Sequence, residues 1–450
     1  MTWHFNTFIY SADTNHGMHQ CGVSDVFGPS TVCRGLRRAA PIALLVALVI
    51  ASTTLGFGIS KGSIPRGGVE LHGLAASGGG PQWTSISVPA NFPAVVSPSM
   101  TYEGYNGSPP GAYVFFGGYD PATHLLSNST WLVNTSAAVP VCPLGGCVAP
   151  SSRWGAIFFH LDSGVSILYG GCGVAPTVGA YGQLACGHLE SDLWVFEYNY
   201  SVPAASKWVP ENCLGVTHPT VGLAQGVGEG ITVNLGMMAG GETANGSASS
   251  QTWEVSDYTL ASGCTPYHLV WTPIGSMSNP EIGGAMVGPL LVNATSHGTL
   301  INEIEYGGAG AVGGTPNALG NRLVVNATNC QGILCASGSV WYPLSPGGST
   351  VPTYQGAALT NISQQYYLFG GVDGSVPSGI TYVGQIVGPV QSGGVFVWSV
   401  DANLAQSPPA RAYAGYATGW AASGLSEMIV CGGMATASPL TATPGCWWFG

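Results

Sequence analysis

The sequence contains very little charge. Lys and Arg total 9 and Asp and Glu total 20 of 450 residues, so charged residues make up 6%, against about 25% in an average protein. Coiled coils and long exposed helices need many Glu, Lys and Arg residues, so this composition excludes them. The net charge of -11, without a basic patch, argues against nucleic acid as a partner. A hydrophobic content of 46% argues against a disordered chain.

The sequence also lacks the short motifs that mark common active sites. It has no G-x-S-x-G nucleophile elbow and no Walker-type phosphate loop. Its ten histidines include no H-x-H or H-x-x-x-H pair. The segment GHLESDL places His188, Glu190 and Asp192 close together, a spacing that suits either a cation or a solvated strand entry. We therefore predict no catalytic residue, no metal site and no cofactor.

One segment is long enough and apolar enough to cross a membrane. Residues Ala39–Ile59 carry no charge over 21 positions, which spans the ~30 Å of hydrocarbon as a helix. Three arginines precede it and two basic residues follow it, which favours a cytoplasmic N-terminus. The alternative is a cleaved secretory signal with Leu44–Ile50 as its hydrophobic region. Under both interpretations Lys61–Gly450 lies outside the cytoplasm, so we predict a single-pass cell-membrane protein or a secreted one.

The flanks of this segment complete the predicted domain organisation. Residues 1–38 form a cytoplasmic segment that we expect to be disordered. Residues 60–81 are rich in Gly and Ser and are expected to form a flexible linker. The remaining residues, 82–450, contain the repeats described below and form the predicted folded domain.

Cysteine usage agrees with an oxidising compartment. Two cysteines precede the hydrophobic segment and ten follow it, an even number that favours disulfides. Four local pairs are predicted, and the remaining two cysteines pair by default. Free buried thiols and a metal clip are the alternatives. The predicted pairs are Cys142 with Cys147, Cys172 with Cys186, Cys330 with Cys335, Cys431 with Cys446, and Cys213 with Cys264.

N-glycosylation sequons are more frequent after the hydrophobic segment than the composition leads one to expect. Sequons imply surface loops or strand ends in a secreted protein if they are used. The candidates are Asn106, Asn128, Asn134, Asn199, Asn245, Asn293, Asn326 and Asn361.

A repeat organises the rest of the chain. A short apolar run ends in a glycine doublet six times, at nearly regular spacing. The doublets are Gly117-Gly118, Gly170-Gly171, Gly240-Gly241, Gly307-Gly308, Gly370-Gly371 and Gly432-Gly433. Glycine doublets suit a strand end where the backbone turns sharply or packs closely.

The flanks of the doublets repeat as well. A polar stretch and a second apolar strand follow each doublet, marked by Trp131, Trp194, Trp253, Leu323, Trp398 and Trp447. A further strand with a W-x-x-[IL]-like pattern lies between repeats at Trp208, Trp271 and Trp341. We interpret these tryptophans and the doublets as core residues and not as ligand-binding motifs.

This pattern resembles the kelch repeat over Gln82–Gly450. In kelch units, GG closes the second strand, an aromatic residue marks the third and Trp marks the fourth. The arginine that often follows the proline of such units occurs as Arg153 and Arg411. The fourth repeat departs from the pattern, since Arg322-Leu323 occupies the aromatic position. The resemblance implies an all-β fold, a six-bladed kelch-type β-propeller that follows the N-terminal helix.

The end of the chain predicts how the ring closes. The last repeat stops at Cys446–Gly450, which reads as a third strand without a fourth. The segment 82–89, QWTSISVP, matches the missing fourth strand. We predict that Trp83–Val88 pairs with the third strand of the last blade, which removes two exposed sheet edges.

Three classes of function remain open. The first is a binding or scaffold module that recognises protein or glycan through loops, with Cys172–Asp192 and Val372–Gly394 as contact surfaces. The second is a secreted kelch-type enzyme acting on carbohydrates, or a copper radical oxidase, which needs a Tyr–Cys crosslink. We interpret His160 and His218, which fall in or beside first strands, as structural residues that line the channel. The third class is a structural cell-envelope component.

The low charge also bears on the surroundings. A chain with few charged residues forms few ion pairs, so acidification removes few favourable interactions. We therefore predict that the protein works in acidic surroundings.

Overall fold

The computed structural model describes part of the structural unit Ala76–Gly450. The described residues are 80–104, 111–141, 147–162, 164–211, 219–232, 235–257, 269–295, 298–326, 339–348, 350–388, 394–420 and 426–450. The predicted segments 1–38 and 39–59, most of the linker 60–81, and His218 lie outside them. Within these stretches no helix combines the length and the hydropathy that a membrane span needs.

Strands make up nearly all of the regular structure in the described stretches, and one 3-10 turn spans Pro203–Ala205. In chain order the strands are β1 (Trp83–Ile86), β2 (Ser99–Glu103), β3 (Ala112–Phe116), β4 (Tyr119–Asp120), β5 (Leu125–Leu126), β6 (Thr130–Val133), β7 (Ala138–Val141), β8 (Ile157–Asp162), β9 (Val165–Tyr169), β10 (Thr177–Val178), β11 (Leu184–Ala185), β12 (Leu193–Glu197), β13 (Lys207–Pro210), β14 (Val227–Thr232), β15 (Leu235–Ala239), β16 (Gln251–Asp257), β17 (Leu269–Ser276), β18 (Ala285–Thr295), β19 (Gly298–Tyr306), β20 (Gly320–Asn326), β21 (Val340–Gly348), β22 (Gln355–Ile362), β23 (Gln365–Val372), β24 (Thr381–Val387), β25 (Gly394–Val400), β26 (Gly415–Trp420), β27 (Ser426–Cys431), β28 (Met434–Ala437), β29 (Leu440–Ala442) and β30 (Cys446–Phe449).

The large sheets have the order expected of propeller blades. Four are four-stranded, and one has eight strands in the order β18-β19-β20-β21-β25-β24-β23-β22. We number four-stranded units along the chain and count each half of the eight-stranded sheet as one unit. The first is β2-β3-β6-β7, the second β8-β9-β12-β13, the third β14–β17, the fourth β18–β21, the fifth β22–β25 and the sixth β26-β27-β30-β1.

The predicted all-β, propeller-like architecture is confirmed. The first strands of successive units contact one another, and β26 contacts β2. The sequence predicted six separate blades, but only four sheets of the described chain are separate four-stranded ones. The difference arises because Leu344–Gly348 of β21 pairs in parallel with Gly394–Trp398 of β25.

The second strands carry the longest apolar runs because neighbouring sheets cover both of their faces. All five residues of β3, β9 and β15 are buried. A strand covered on both sides shows a continuous apolar run instead of an alternating one. The fourth strands alternate, as in LVWTPIGS of β17, because they lie at the outer edge with one face exposed.

The start of the described chain pairs with its end. β1 is antiparallel to β30, with Trp83 opposite Phe449 and Ile86 opposite Cys446. Trp83 is fully buried against Phe369 and Phe449. This is the strand that the sequence predicted as the missing fourth strand of the sixth unit.

The fourth-strand tryptophans also tie neighbouring units together. Trp208 donates from Nε1 to Thr130 Oγ1 at 2.8 Å, and Trp341 donates to Thr252 Oγ1 at 2.9 Å. Trp83 makes the equivalent bond to Thr381 at 3.0 Å. In each case the threonine belongs to the third strand of the preceding unit, so the bond crosses an interface.

One repeat was assigned wrongly from the sequence. Trp398 was predicted to mark a third strand, but it lies in β25, the fourth strand of the fifth unit. The third strand is β24, where Tyr382 is the buried aromatic residue. Trp398 instead stacks on Phe396, with ring centroids 4.2 Å apart.

All twelve glycines of the doublets have positive φ, between 62° and 105°. The second glycine of each doublet donates its backbone N–H to a carbonyl of the next unit. The acceptors are Arg153, Leu223, Glu281, Tyr354, Arg411 and, returning to the first unit, Val95, at 2.7–2.9 Å. The doublets therefore connect the units to one another, and left-handed backbone explains why glycine is needed.

Two of the predicted disulfides lie in the described residues. Cys172–Cys186 closes a loop in the second unit, and Cys431–Cys446 links β27 to β30 in the sixth. Cys147 is also disulfide-bonded. Cys142, Cys213, Cys264, Cys330 and Cys335 lie outside the described residues. The observed bonds indicate an oxidising environment.

Candidate functional site

Six backbone hydrogen bonds form a closed ring where the first strands begin. Each donor is the N–H of one unit and each acceptor is the carbonyl of its neighbour, at 2.7–2.9 Å. All six residues have positive φ, between 50° and 68°. We call this set the axial ring; it consists of Ser97, Tyr413, Gly356, Gly283, Gln225 and Gly155, in the order of donation.

Two side chains of the axial ring lie across it. A Cβ on Gly283 would lie 3.3 Å from the Tyr413 ring and 3.8 Å from Gln225 Oε1, so both side chains approach the same point. Tyr413 and Gln225 are both buried. Burial raises the pKa of the Tyr413 hydroxyl far above its ordinary value, so this tyrosine stays neutral.

The disulfide loop of the second unit covers the axial ring. Gln225 donates from Nε2 to the carbonyl of Leu184 at 2.8 Å, and Tyr413 also bonds to the backbone of Leu184. Gln183 donates to the carbonyl of Gly314 in the fourth unit. The β10–β11 hairpin therefore crosses the axis and is tied to several units at once.

A buried carboxylate holds the base of the hairpin. Both oxygens of Glu242 accept the backbone N–H of Cys186, at 3.1 and 3.0 Å, and Gln225 donates to Oε2 at 3.3 Å. Desolvation raises the pKa of Glu242 to about 7, although these hydrogen bonds act in the opposite direction. The hairpin is thus fixed by a disulfide, a carboxylate and the axial side chains.

The doublet face is the end of the units that carries the glycine doublets, the axial ring and this hairpin. Apolar side chains are exposed in its loops: Leu125 is 65% exposed, Val174 39% and Val376 74%. The far face is the opposite end, where β1 begins and the third strands end. The hairpin loop predicted as a contact surface therefore lies on the axis of the doublet face.

The second predicted contact surface, Val372–Gly394, is not one surface. β24 occupies Thr381–Val387 within it, because the segment includes the third strand of the fifth unit. Residues 373–380 lie on the doublet face, and Val387 lies at the far end of β24. The sequence interpretation failed here because it took Trp398 as the third-strand marker.

On the far face, Glu103 and His160 come together from the first strands of two units. His160 Nδ1 lies 3.3 Å from Glu103 Oε2, and Ser166 donates its hydroxyl to Glu103 Oε1. Glu103 is fully buried, while the His160 side chain is 27% exposed. The sequence placed His160 correctly in a first strand and assigned it a structural role. This arrangement orients the imidazole at the far face.

Tyrosines stand near this pair. The rings of Tyr198 and Tyr200 pack edge to face with centroids 4.8 Å apart. Desolvation, then the charge of Glu103, raises the pKa of Tyr198. A cavity of about 320 Å³ is lined by Glu197–Ser201, Ala205 and Lys207, with Lys207 Nζ 2.9 Å from Glu197 Oε2. The cavity is small and open.

The three side chains of GHLESDL do not gather at one point. Asp192 accepts two hydrogen bonds from the buried Arg153, whereas His188 and Glu190 lie beside Gly173. Desolvation acts to raise the pKa of Asp192, but the hydrogen bonds from Arg153 and Trp194 hold it below its ordinary value. Across the described residues no group of three or more His, Cys, Asp or Glu side chains is placed to bind a metal ion.

The sequons differ in accessibility. Asn128, Asn134, Asn199 and Asn245 are exposed. Asn361 lies within β22 and is 7% exposed. Asn106 lies outside the described residues, and the Asn293 and Asn326 side chains are not described.

Sequence reasoning missed the residues that organise the axis. Gln225 and Glu242 belong to the third unit and Tyr413 to the sixth, so they meet only after the ring closes. The sequence contained only a weak indication of these residues. The positions of the axial ring fall in stretches of small residues that follow a proline upstream of each doublet, and three of the six are glycine. Nothing in a single repeat marks Gln225 or Tyr413 as different from those glycines.

No protein-family model matches this chain, and no curated protein matches it. Among solved structures, the chain is similar to one titled "Structure of YjhT". The TM-score is 0.48 and the identity 14%, over 79% of this chain and 95% of that chain. Similarity at this level carries no information on activity.

Proposed function

We propose that this protein is a six-bladed propeller of the kelch type that works outside the cytoplasm, anchored to the cell membrane or secreted. It acts as a binding or scaffold module. Its ligand is a protein or a glycan, and it contacts that ligand through the doublet face. The observation that carries the proposal is the β10–β11 hairpin, fixed on the axial ring with exposed apolar side chains around it.

Six blades are supported by bonds that repeat once per unit. The axial ring has six members, and the doublets make six equivalent bonds, the last of which returns to Val95. Each half of the eight-stranded sheet contributes one member to each set. The halves of that sheet therefore act as two blades, and the β21–β25 pairing is a contact between them.

The doublet face is favoured as the contact surface because it is rigid. Residues at an interface lose conformational freedom on binding, so a face held in place beforehand loses less. Here a disulfide, the two bonds to Glu242 and the bonds to Leu184 hold the hairpin. Apolar side chains exposed on such a support suit a protein or glycan ligand.

The point where the chain enters the domain also favours this face. Trp83 pairs with Phe449, whereas Cys446 pairs with Cys431 next to the Gly432 doublet. The start of β1 therefore lies at the far face. The doublet face is at the opposite end of the described domain from this first strand.

Site-specific photo-crosslinking tests this proposal. A photoreactive amino acid is placed at Val174 or Val376 on the doublet face, with Val202 as control because it is 54% exposed on the far face. We expect crosslinks to cell-envelope protein or glycan from Val174 and Val376, suppressed by excess unlabelled protein. Equal labelling from Val202, or labelling from Val202 alone, contradicts the proposal.

A further inference from the structure

The interface between the third and fourth units contains five glutamates and no basic side chain among the residues described there. A chain with so few charged residues thus concentrates carboxyl groups at one buried place. The glutamates are Glu229, Glu254, Glu281, Glu303 and Glu305.

On the third unit, two glutamates share one face of the sheet. Met237 of β15 lies opposite Glu229 of β14 and also opposite Glu254 of β16. Residues directly opposite in antiparallel strands point to the same face. Met237 packs in the same apolar cluster as Met286 and Leu323 of the fourth unit, so this face meets the fourth unit.

On the fourth unit, the facing side chains come from β19. Glu303 lies opposite Leu323, and Glu305 lies opposite Met286. Both apolar partners belong to the cluster that joins the two units. Glu303 and Glu305 therefore point toward Glu229 and Glu254 across the interface. Glu281 lies at the start of the fourth unit, close enough for its charge to act on Glu305.

These carboxyl groups are buried and poorly supplied with donors. Glu303 is fully buried, and neither of its oxygens has a hydrogen-bond partner among the described residues. Within the same part of the chain, Glu254 Oε2 and Glu305 Oε1 also lack partners. Glu305 Oε2 accepts a bond from Asn321 at 2.7 Å, and Glu281 accepts two from Asn317. Glu229 keeps some exposure, so the argument rests chiefly on the other four.

No cationic side chain of the described residues compensates these carboxyl groups. Arg322 of β20 lies opposite Ile304, which places it on the other face of the sheet. The titratable groups near the interface are the neutral tyrosines Tyr366 and Tyr416, and Asp257 ends β16. Burying an ionised carboxylate without a partner costs far more than burying the neutral acid. Protonation is therefore the state that this interface favours.

The pKa values follow the same direction. Desolvation raises the pKa of Glu254 to about 7, and it raises those of Glu229 and Glu281 to about 8. Desolvation and neighbouring carboxylates raise the pKa values of Glu303 and Glu305 well above 4.5. A raised carboxyl pKa means that the folded state binds more protons than the unfolded state, so stability falls as pH rises from about 4.5 to 8.

We infer that the glutamates between the third and fourth units are protonated in the folded, functioning protein. We also infer that this interface becomes less stable as the pH of the surroundings rises to neutral and alkaline values. The propeller is thus built for acid surroundings. The carboxyl groups serve as neutral polar side chains, and their ionisation is the event that weakens the ring.

Thermal unfolding of the full chain between pH 4 and pH 9 tests the inference. We expect the melting temperature to be highest near pH 4 to 5 and to fall continuously toward pH 8. A melting temperature that rises over this range overturns it, because ordinary exposed or paired carboxylates give that opposite slope.

The variant Glu303→Gln keeps the shape of the side chain and replaces the carboxyl group with an amide that cannot ionise. We expect little change in its melting temperature at pH 4.5, a higher melting temperature than the parent chain at pH 8, and a shallower slope. The matched control is Glu197→Gln at the surface pair with Lys207, which leaves the slope unchanged. An unchanged slope in Glu303→Gln overturns the inference.

Infrared spectroscopy gives a readout that does not depend on stability. The carbonyl band of protonated carboxylic acid is expected at pH 6 in the parent chain and is reduced in Glu303→Gln. Absence of that band contradicts the inference. Restoration of the melting temperature at pH 8 by calcium chloride in the parent, lost in Glu303→Gln, also overturns it, because the carboxylates then hold a cation.

Discussion

Single glycines decide whether neighbouring units fit together. A Cβ on Gly170 would lie 2.3 Å from the carbonyl oxygen of Leu223, which is closer than real contacts allow. Gly170 also has a φ of 66°, so a substituent meets both a clash and an unfavourable backbone. The doublets are needed for inter-unit packing and not for local turn formation alone.

Gly170→Ala is therefore expected to destabilise the protein by about 3–5 kcal/mol, the sum of backbone strain and overpacking. Gly374→Ala is the control, because Gly374 has a φ of 88° but a Cβ added there would meet no atom within 4 Å. It should cost about 1–2 kcal/mol from strain alone. Denaturant unfolding measures both, and equal losses would show that the Leu223 contact contributes nothing.

Buried arginines show how repeats with one motif diverge. Arg153 bonds to the carbonyl of Gly170 and to Asp192, whereas Arg411 bonds to the carbonyls of Gly432 and Gly445. Asp192 and Gly445 occupy equivalent places before their third strands. Burial without a carboxylate lowers the pKa of Arg411 to about 10. The motif identified both arginines, but it did not show that Arg153 bonds to a carboxylate and Arg411 to backbone carbonyls.

At the scale of elements, the closing strand makes the sixth unit complete. β1 supplies a fully buried tryptophan and an outer edge that β30 otherwise lacks. Its bond to Thr381 reaches the fifth unit, so β1 stabilises an interface as well as a sheet.

Trp83→Ala is expected to cost about 3–5 kcal/mol through the cavity that it leaves. Trp83→Phe keeps most of the packing and loses the Thr381 bond, so it should cost about 1–2 kcal/mol. Urea unfolding followed by tryptophan fluorescence distinguishes them. Near-parent stability in Trp83→Ala would mean that β1 is dispensable for closure.

Elements were predicted best where a repeated residue had one structural cause. The doublets located the second-strand end in five of the six units, because left-handed backbone at an inter-unit contact excludes other residues; in the fifth unit β23 continues through the doublet to Val372. The third strand of the fifth unit was misplaced, because Trp398 and Tyr382 are both aromatic and only strand pairing distinguishes their positions. The parallel pairing of β21 with β25 also had no signal in the sequence. It depends on how close the outer edges of the fourth and fifth units lie in the folded protein.

At the scale of the molecule, charge and burial together predict how stability depends on pH. After Arg66 the chain has eighteen acidic and four basic side chains, a formal charge of -14 at neutral pH. Most of the described glutamates are buried, including Glu427, whose pKa desolvation raises. Acidification neutralises the net charge and removes few favourable pairs.

We therefore expect the protein to remain folded at pH 3 and to lose less than a few kcal/mol between pH 6 and pH 3. The loss comes from Asp192, whose pKa is lowered in the folded protein. Its bond to Arg153 therefore stabilises the fold at any pH above the ordinary pKa of an aspartate, and this stabilisation is lost when strong acid protonates Asp192. Asp192→Asn should flatten this acid limb. Chemical denaturation at both pH values measures the difference, and a chain that is already unfolded at pH 3 without denaturant would contradict the expectation.

The repeat, the all-β class, the closing strand, two of the disulfides and the low charge can be read from the amino-acid sequence, because each has a local or periodic cause. Which side chains meet follows only from the folded arrangement. The axial ring, the hairpin across it and the carboxyl groups between the third and fourth units join residues far apart in the chain. Their contacts exist only once the ring is closed, and their protonation depends on burial that no single repeat encodes.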